Sequence, residues 1–329
     1  MQKYNKVVVC CPAELVTGGP ELLHQFVHHL TEQGVDAHIT YYPFCSKHST
    51  PEAYKHYKIN IISLSEIEAS EDILIVIPET ATQISKRFPY NSIAIWWLSV
   101  DNYFGYPLSE NNIYKKGVHW LKILLGKKLS LRKMREMIHF YQSEYARLFL
   151  QHNNITALSL KDYLNKSHMD IGYANVEKEN VILYNPKKGI AITNKLKENF
   201  REFQFKPIEN MTASEVRITL ERSKLYIDFG HHPGKDRFPR EAVMAGCVLI
   251  TGVEGSAANE VDIPIPSRFK LDSNKFNFES EFKKCVDNIF SNFQNEIKEF
   301  EYYRNCIKNE EQDFRNDVTS FVRSYIKQK

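Results

Sequence analysis

The stretch from 226 to 251 joins two apolar runs through a highly charged loop, and this loop could bind a phosphorylated ligand. The run Leu225–Phe229 predicts a strand and the run Cys247–Thr251 predicts a second one. Between them, Pro239 favours a helix start and Gly246 favours a helix end. Open α/β sheets bind ligands in the loops that leave the carboxyl ends of strands, and cations beside a helix N-terminus suit phosphate groups. The residues that we expect to bind the ligand in this loop are Gly230, His232, Lys235, Asp236, Arg237, Arg240 and Glu241.

Three cations of this loop, Lys235, Arg237 and Arg240, fall within six positions. Arginine binds phosphate oxygens through two parallel hydrogen bonds and lysine acts as a compact point charge, so together they suit a diphosphate. Such groups would stabilise the negative charge that develops on a departing nucleoside diphosphate. The alternative is a solvated basic face in which the cations pair with Asp236 and Glu241.

Two neighbouring features could add to this chemistry. Lys187 and Lys188 follow an apolar run that ends at Tyr184, and they form a second candidate phosphate clamp, with a plain surface turn as the alternative. His231 is a candidate catalytic residue, as a general acid or as a donor to a sugar hydroxyl, and it could also simply fill the loop. Adjacent histidines without carboxylates at a suitable spacing do not favour a metal site, so no metal is expected.

The elements that must position these residues predict two α/β halves. In the first half, a strand at 6–11, a loop with Gly18 and Gly19, a helix over about 20–33 and a strand at 37–42 form a βαβ unit. The other elements predicted in this half are strands at 72–77 and 92–98 and helices at 132–141 and 144–152.

The second half begins with a predicted strand at 180–184, and Thr212 with Glu215 forms a capping box that starts a helix. Charged helical sequence follows Phe276, and a final helix covers 314–326. The fold class that we predict is α/β, with two Rossmann-like, doubly wound parallel-sheet domains and a C-terminal helical segment. The predicted domains are 1–160, 161–305 and, as a helix that could pack back on the first domain, 306–329.

The composition is that of an ordinary soluble protein. With 329 residues the chain is long enough for two cores, and 43% hydrophobic and 25% charged residues fit a globular protein. A net charge of +3 does not indicate general affinity for nucleic acid. Six cysteines without zinc spacing favour a reducing cytoplasm. The sequence shows no signal peptide and no apolar run of the ~18 residues that a membrane span needs, so we expect a soluble or peripheral cytoplasmic protein.

One stretch, Lys115–Arg135, concentrates the basic residues of the chain. It holds eight lysines and arginines and no acid, interleaved with Trp120 and several leucines. This pattern is typical of a patch that docks on anionic lipid, and the alternative is an excursion that packs its apolar side on the first domain. Binding of RNA is a weaker third possibility because aromatic stacking residues are sparse.

Two α/β halves, with a glycine loop first and Glu241-Ala-Val-Met-Ala-Gly-Cys-Val late, resemble the GT-B glycosyltransferases. Many retaining members carry a Glu, seven residues and then Glu-Ala-x-Ala-x-Gly-x-Pro-Val at the donor site. In this sequence the segment that starts at Glu241 has a spacing shorter by one residue and lacks the proline of the motif. The first glutamate of the motif would fall on Pro233. The loop resembles more closely an uncommon bacterial branch of the fold that serves polysaccharide biosynthesis.

The resemblance implies a first domain that binds the acceptor and a second that binds the nucleotide sugar, with the active site in the cleft between them. It implies that Glu241 accepts hydrogen bonds from the donor's ribose hydroxyls; an exposed first-turn acid favoured by the helix dipole is the alternative. It also implies that the loop with Gly18 and Gly19 lets the phosphates approach closely. GT-B enzymes generally need no metal for the chemical step, and the chain contains no Asp-x-Asp.

An inverting mechanism would need a base from the first domain to deprotonate the acceptor hydroxyl. Glu79 and Asp101 are candidate catalytic residues for this step because each carboxylate lies directly beyond an apolar run that predicts a strand, 73–78 and 93–100 respectively. Glu14, beyond the first strand, is a third candidate. Each of these acids could instead be a surface turn residue or a helix N-cap.

The predicted function is therefore the transfer of a sugar from a nucleotide-diphosphate donor, UDP or GDP, to a cell-surface glycan or lipid-linked acceptor. The resemblance implies a role in polysaccharide or lipopolysaccharide assembly, in the cytoplasm or on the inner face of the cell membrane. No cofactor is expected beside the nucleotide sugar, which is the substrate. The alternatives are a nucleotide-sugar epimerase on the same fold and a non-catalytic, glycosyltransferase-like scaffold subunit.

Overall fold

The computed structural model describes residues 3–169 and 176–327. The chain divides into two compact parts: unit 1 holds residues 1–163 together with 311–329, and unit 2 holds residues 164–310. The boundaries predicted from the sequence lie after residues 160 and 305.

Unit 1 is built on one parallel sheet of six strands, β1 (Lys6–Pro12), β2 (Asp36–Tyr42), β3 (Ile73–Pro78), β4 (Ser92–Trp97), β5 (Ile138–Tyr141) and β6 (Leu158–Ser159). Their order across the sheet is β2-β1-β3-β4-β5-β6. Val7 and Val9 pack into the core on one face of the sheet, and Val8 and Cys10 pack into the core on the other. Because both faces of the sheet are buried, the strand sequences are almost continuously apolar and do not alternate between apolar and polar residues.

The helices of unit 1 before its C-terminal segment are α1 (Gly18–Glu32), α2 (Val100–Phe104), α3 (Ile113–Leu124), α4 (Leu131–Met134) and α5 (Glu144–His152). The prediction of a helix over 132–141 is wrong, because α4 ends at Met134 and the segment continues as β5. Ile138, Phe140 and Tyr141 have high β-propensity, and β5 pairs directly with β4. Tertiary pairing therefore overrode a weak helical pattern.

A long C-terminal helix, α11 (Glu301–Tyr325), contains all but the last residue of the predicted helix over 314–326. Phe314, Val318 and Phe321 are buried in the unit 1 core. The ring of Phe321 lies 5.5 Å from that of Phe26 on α1 in an edge-to-face arrangement. Residues from the end of the described chain thus complete a core that begins at β1.

Unit 2 is built on a parallel sheet of four strands, β7 (Glu179–Tyr184), β8 (Gln204–Pro207), β9 (Ser223–Asp228) and β10 (Val248–Thr251). Their order is β10-β9-β7-β8. The helices of unit 2 are α6 (Ile190–Asn199), α7 (Ala213–Arg222), α8 (Arg237–Met244), α9 (Phe278–Ser291) and α10 (Phe293–Glu296). The prediction of an α/β fold with parallel sheets in both halves is confirmed.

The helix ends of unit 2 follow local sequence signals. The capping box of Thr212 and Glu215 is present at the start of α7. Helix α8 begins at Arg237, two positions before the expected Pro239, and Gly246 ends it with a φ of 77°. The Lys178 ammonium donates hydrogen bonds of 2.7–3.3 Å to four carbonyl oxygens where α7 and α8 end, those of Leu220, Glu221, Ser223 and Ala245.

Candidate functional site

At the carboxyl edge of the unit 2 sheet, the loops after β7, β9 and β10 meet in backbone contact. Gly189 has a φ of 59°, and a Cβ there would lie 2.5 Å from the carbonyl carbon of Phe229. Gly255 has a φ of 62°, and a Cβ there would lie 2.0 Å from the carbonyl oxygen of His232. Any other residue at either position would be strained and would force the loops apart. The two glycines therefore hold three loops against one another at the edge where such sheets bind ligands.

The first of these loops also touches the predicted ligand-binding loop through side chains. A Cβ on Gly230 would lie 2.5 Å from the Cβ of Lys188, so this glycine leaves the room that the lysine occupies. The Lys188 ammonium pairs with the carboxylate of Asp236. The structure therefore brings Lys188, Gly230 and Asp236 together, although 48 positions separate the two charged residues in sequence.

A buried charge network lies beneath this contact. His232 is completely buried; its Nδ1 lies 2.9 Å from Asp236 Oδ2 and its Nε2 lies 3.5 Å from Asp228 Oδ1. Burial by itself lowers the pKa of His232, but Asp228 and Asp236 outweigh it and the pKa is raised. Burial raises the pKa of Asp236, but the neighbouring His232 and Lys188 outweigh it and the pKa is lowered. The four side chains thus form a charge-balanced unit of two cations and two carboxylates at slightly acidic pH.

The other predicted cations of the loop also have acidic partners. Lys235 Nζ lies 2.7 Å from Glu310 Oε1, and Arg240 Nη1 lies 2.8 Å from Glu310 Oε2. Arg240 is fully buried, and its guanidinium also donates to the backbone carbonyls of Lys235 and Asp236. This geometry favours a role for Arg240 in holding the loop rather than in touching a ligand.

Glu241 lies at the middle of α8 and has two cationic neighbours. Its Oε1 lies 3.4 Å from Arg237 Nε and 3.6 Å from His168 Nε2. Its carboxylate is largely buried, while the Arg237 side chain is about one quarter exposed, at 24%. A carboxylate fixed in this way can accept hydrogen bonds from ligand hydroxyls while its charge is balanced by the protein.

Lys187 differs from the other predicted cations. It is exposed, and no ion pair of Lys187 occurs within residues 3–169 and 176–327. It lies two positions before Gly189, the N-cap of the ten-residue helix α6, and no side chain caps that helix. An exposed lysine next to an uncapped helix N-terminus is an arrangement that suits anions.

His231, the candidate catalytic residue of the loop after β9, has its Nδ1 3.4 Å from Glu254 Oε2.

In unit 1, the predicted residues lie at the carboxyl edge of the other sheet. Gly18 and Gly19 are not in a loop but form the first turn of α1, whose N-cap is Thr17. A Cβ on Gly19 would lie at an ordinary 3.7 Å from Leu98 Cδ1, so the packing does not require a glycine there. The Leu98 amide, after β4, donates a 2.9 Å hydrogen bond to Glu79 Oε2, after β3.

Glu79 is the candidate base with the most perturbed environment. Its side chain is buried, and burial raises its pKa to about 7 against the opposing effect of the Leu98 amide and Lys128. Lys128 is itself buried, and burial lowers its pKa to about 8. The Lys128 ammonium donates to the carbonyl of Tyr103 and lies 5.0 Å above the ring of that residue. Glu79 can therefore change protonation close to neutral pH, as a general base requires.

The other two candidate acids are placed differently. Asp101 is buried, and its Oδ1 accepts hydrogen bonds from the Leu108 amide at 2.8 Å and the Tyr145 hydroxyl at 3.1 Å. It therefore holds the segment between α2 and α3. Glu14 is exposed and lies 3.5 Å from the Nδ1 of His48.

Sequence reasoning missed several residues that shape these edges. Asp228 ends β9, and an acid at the carboxyl end of a buried strand is a signal that could have been used. Glu310 lies 70 positions from Arg240 and no local pattern connects them. Lys128 belongs to the basic stretch Lys115–Arg135, yet its side chain is buried. Gly189 and Gly255 are recognised only when the loops are seen in contact.

Among the residues that the structure describes, one group of side chains has the spacing of metal ligands: His28, His29 and Glu32 on α1. Glu32 Oε2 lies 3.2 Å from Arg315 Nη1 and 3.1 Å from His29 Nδ1. Burial lowers the pKa of His29 to about 4, so this histidine is neutral at physiological pH.

Within the two described ranges, no helix combines the length and the apolar character needed to cross a membrane.

No protein-family model and no curated protein sequence matches the chain. Solved structures do match it over nearly its whole length. A glycosyltransferase from Rickettsia africae is 13% identical with a TM-score of 0.62, covering 99% of this chain and 98% of that one. Sucrose-phosphate synthase from Thermosynechococcus elongatus is 8% identical with a TM-score of 0.67, covering 97% and 98%. HepE from Anabaena, in complex with UDP and glucose, is 9% identical with a TM-score of 0.64, covering 98% and 100%. The fold is therefore that of the GT-B glycosyltransferases, as the sequence resemblance implied.

Proposed function

We propose that the protein is a glycosyltransferase that moves a sugar from a UDP or GDP donor to a cell-surface glycan or a lipid-linked acceptor. The observation that carries the proposal is the match of both units, over 97–99% of the chain, to glycosyltransferase structures. One of those structures holds UDP and glucose, and another, an alpha-glucosyltransferase with a TM-score of 0.53, holds UDP. A role in polysaccharide or lipopolysaccharide assembly, in the cytoplasm or at the inner face of the membrane, follows from the bacterial branch that the loop resembles.

The donor would bind at the carboxyl edge of the unit 2 sheet. Lys187 supplies an exposed positive charge and the uncapped N-terminus of α6 supplies backbone amides, so the diphosphate has two sources of binding there. The carboxylate of Glu241 would accept hydrogen bonds from the ribose hydroxyls, held in place by Arg237. The His232 network keeps Lys188 and Asp236 fixed beside this site.

The acceptor would be activated from unit 1. Glu79, whose pKa is raised to about 7, would remove the proton of the attacking hydroxyl, and its Leu98 partner keeps the carboxylate oriented. Asp101 and Arg240 serve in this proposal as positioning residues because protein groups already occupy their side chains.

A thermal-shift screen with UDP, GDP and CMP tests the donor site directly. Stabilisation follows RT ln(1 + [L]/Kd), so a ligand at one hundred times its Kd should raise the free energy of unfolding by about 2.7 kcal/mol. We expect a diphosphate nucleotide to give this shift. Lys187→Ala should lower the affinity for the nucleotide about tenfold, which is roughly the loss of one charge-assisted contact. Lys298→Ala removes another exposed lysine of unit 2, from the segment after α10, and is the matched control.

Activity assays then separate the proposal from its alternatives. Transfer from a UDP- or GDP-sugar to an acceptor supports the glycosyltransferase. Conversion of the nucleotide sugar without any acceptor indicates an epimerase instead. Nucleotide binding without turnover, together with surface glycan that is lost on gene deletion but kept in Glu79→Gln and Glu241→Ala, indicates a scaffold. The absence of a thermal shift with every diphosphate nucleotide would overturn the donor site.

A further inference from the structure

Helix α3 exposes its apolar face to solvent. Ile113 is 82% exposed, Trp120 is 64% exposed and Leu124 is 78% exposed. The other large exposed apolar side chains of this helix and its C-cap are Tyr114, Leu121 and Leu125. A helix on the surface of a soluble protein normally turns its apolar stripe toward the core, whereas α3 turns this stripe toward solvent.

The spacing of these residues makes them one continuous stripe. Ile113, Trp120 and Leu124 stand at positions i, i+7 and i+11, and Gly117 and Leu121 fill i+4 and i+8 between them. The opposite face attaches the helix to unit 1. The buried ring of His119 lies 5.1 Å from the ring of Tyr103 and 4.9 Å from that of Phe104. The apolar stripe therefore points away from the body of unit 1.

Cations border the stripe on both sides. At 100° per residue, Lys116 lies on one flank of the stripe and Lys122 on the other, and both are exposed. No acid occurs between Lys115 and Arg135. The remaining exposed cations of this stretch are Lys127, Arg132, Lys133 and Arg135. The whole chain has a net charge of only +3, so this surface is far more basic than the average.

We propose that α3 and the segment up to Arg135 bind the interface of an anionic lipid bilayer. In this arrangement Ile113, Trp120 and Leu124 enter the boundary between headgroups and acyl chains, while Lys116 and Lys122 contact the headgroup phosphates. A helix of twelve residues is far too short to span a bilayer but long enough to lie in its surface.

The charge pattern selects lipid over a second copy of the chain. Two copies joined through this face would bring their flanking lysines together, and no acid within residues 115–135 could compensate them. Like charges in an interface are unfavourable. Anionic lipid satisfies the apolar stripe and the cations at the same time. The proposal concerns a surface of unit 1 and holds whether or not the protein transfers sugars, so the two can fail separately.

Trp120 provides an internal probe for the test. The chain has three tryptophans, and the other two, Trp96 and Trp97, are fully buried in the unit 1 core. The full-length protein is mixed with vesicles of phosphatidylcholine alone or with added phosphatidylglycerol. We expect co-sedimentation and a blue shift of tryptophan emission with the anionic vesicles only, both weakened as salt is raised, and no shift in Trp120→Phe.

Variants divide the apolar contribution from the electrostatic one. Trp120→Ser with Leu124→Ser should lower vesicle partition at least tenfold because two apolar side chains no longer enter the membrane. Lys116→Gln with Lys122→Gln should lower it roughly twenty-five-fold, about fivefold for each lysine. Val261→Ser with Lys298→Gln removes one exposed apolar group and one exposed cation from unit 2 and should leave binding unchanged. Circular dichroism verifies that each variant is folded.

Four results would overturn the proposal. One is the absence of binding to anionic vesicles at low salt. The second is equal binding to neutral and anionic vesicles, and the third is binding that survives both α3 double substitutions. The fourth is self-association of the protein without lipid that disappears in Trp120→Ser with Leu124→Ser, since a second copy would then cover the stripe.

Discussion

Replacing His232 by glutamine should destabilise unit 2, and the loss should be larger at slightly acidic pH than at alkaline pH. In the folded protein the imidazolium lies between Asp228 and Asp236 with no exposure to solvent. Glutamine keeps much of the volume but leaves two carboxylates with Lys188 as their cation. Removing one partner of a buried ion pair typically lowers the free energy of unfolding by about 3–5 kcal/mol.

The pH dependence follows from the direction of the pKa shifts. The pKa of His232 is raised above its ordinary value of 6.5, so its contribution to stability is complete below about pH 6.5 and is lost as pH rises through the folded pKa. The pKa of Asp236 is lowered from 3.8, so its contribution is present above about pH 4 and is lost in stronger acid. The network should therefore stabilise most between about pH 4 and 6.5. For each tenfold gain in proton affinity that His232 acquires on folding, which is one pKa step, the free energy of unfolding differs by about a further 1.4 kcal/mol between acidic and alkaline pH.

Calorimetric unfolding of the wild type and the variant at about pH 5.5 and about pH 9 measures this effect. For a domain of this size each kcal/mol shifts the transition by about 2–4 °C, so we expect a decrease of roughly 10 °C at the lower pH and a smaller one at the higher pH. His231→Gln, at the neighbouring and less buried position, is the control and should show little pH dependence. An equal loss at both pH values, or the same profile in the control, would refute the assignment of an imidazolium.

Four further substitutions test other parts of the structure. Gly189→Ala places a Cβ 2.5 Å from the Phe229 carbonyl carbon, and we expect the nucleotide thermal shift to disappear, whereas Gly117→Ala has open space and should raise stability by up to about 1 kcal/mol. Lys178→Met leaves partly buried carbonyl oxygens without this donor and should lower the free energy of urea unfolding by about 3 kcal/mol. Glu79→Gln should remove the rise in transfer rate through about pH 7 that ionisation of this base produces in the wild type.

Each of these expectations has a contradicting result. A full nucleotide shift in Gly189→Ala would mean that the contact between the β7 and β9 loops is not needed for binding. Unchanged urea unfolding of Lys178→Met would mean that water replaces the ammonium. A pH–rate profile that keeps its step in Glu79→Gln would assign the base to another group.

The buried strands and their helices were predictable because their signals are local. The runs that became β1, β3 and β9 are apolar on both faces, and the capping box of Thr212 and the stop at Gly246 act within one helical turn. Segment 132–141 was misread because β5 has only four residues, and its pairing with β4 is a long-range event. Strand β8 and helix α6 were not predicted, since neither has a strong apolar pattern.

The candidate site was predictable in its location but not in its charge balance. The glycine and proline signals indicated that the 230–239 loop leaves a strand, and the cations suggested an anion site. The sequence could not show that Lys235 and Arg240 share Glu310 or that Lys188 reaches Asp236. Electrostatic pairing depends on side chains that are distant along the chain. The sequence therefore indicated Lys187 as one of several candidates, and only the structure shows that it is exposed.

The position of Phe314, Val318 and Phe321 in the unit 1 core has a consequence for biosynthesis. The ribosome releases the strands of unit 1 first, yet the aromatic side chains that fill this core are translated only after all of unit 2. The strands of unit 1 therefore keep an exposed apolar face while unit 2 is translated and folds. A fragment that ends at residue 163 should accordingly need chaperones or aggregate, and supplying residues 311–329 as a separate peptide should restore its solubility.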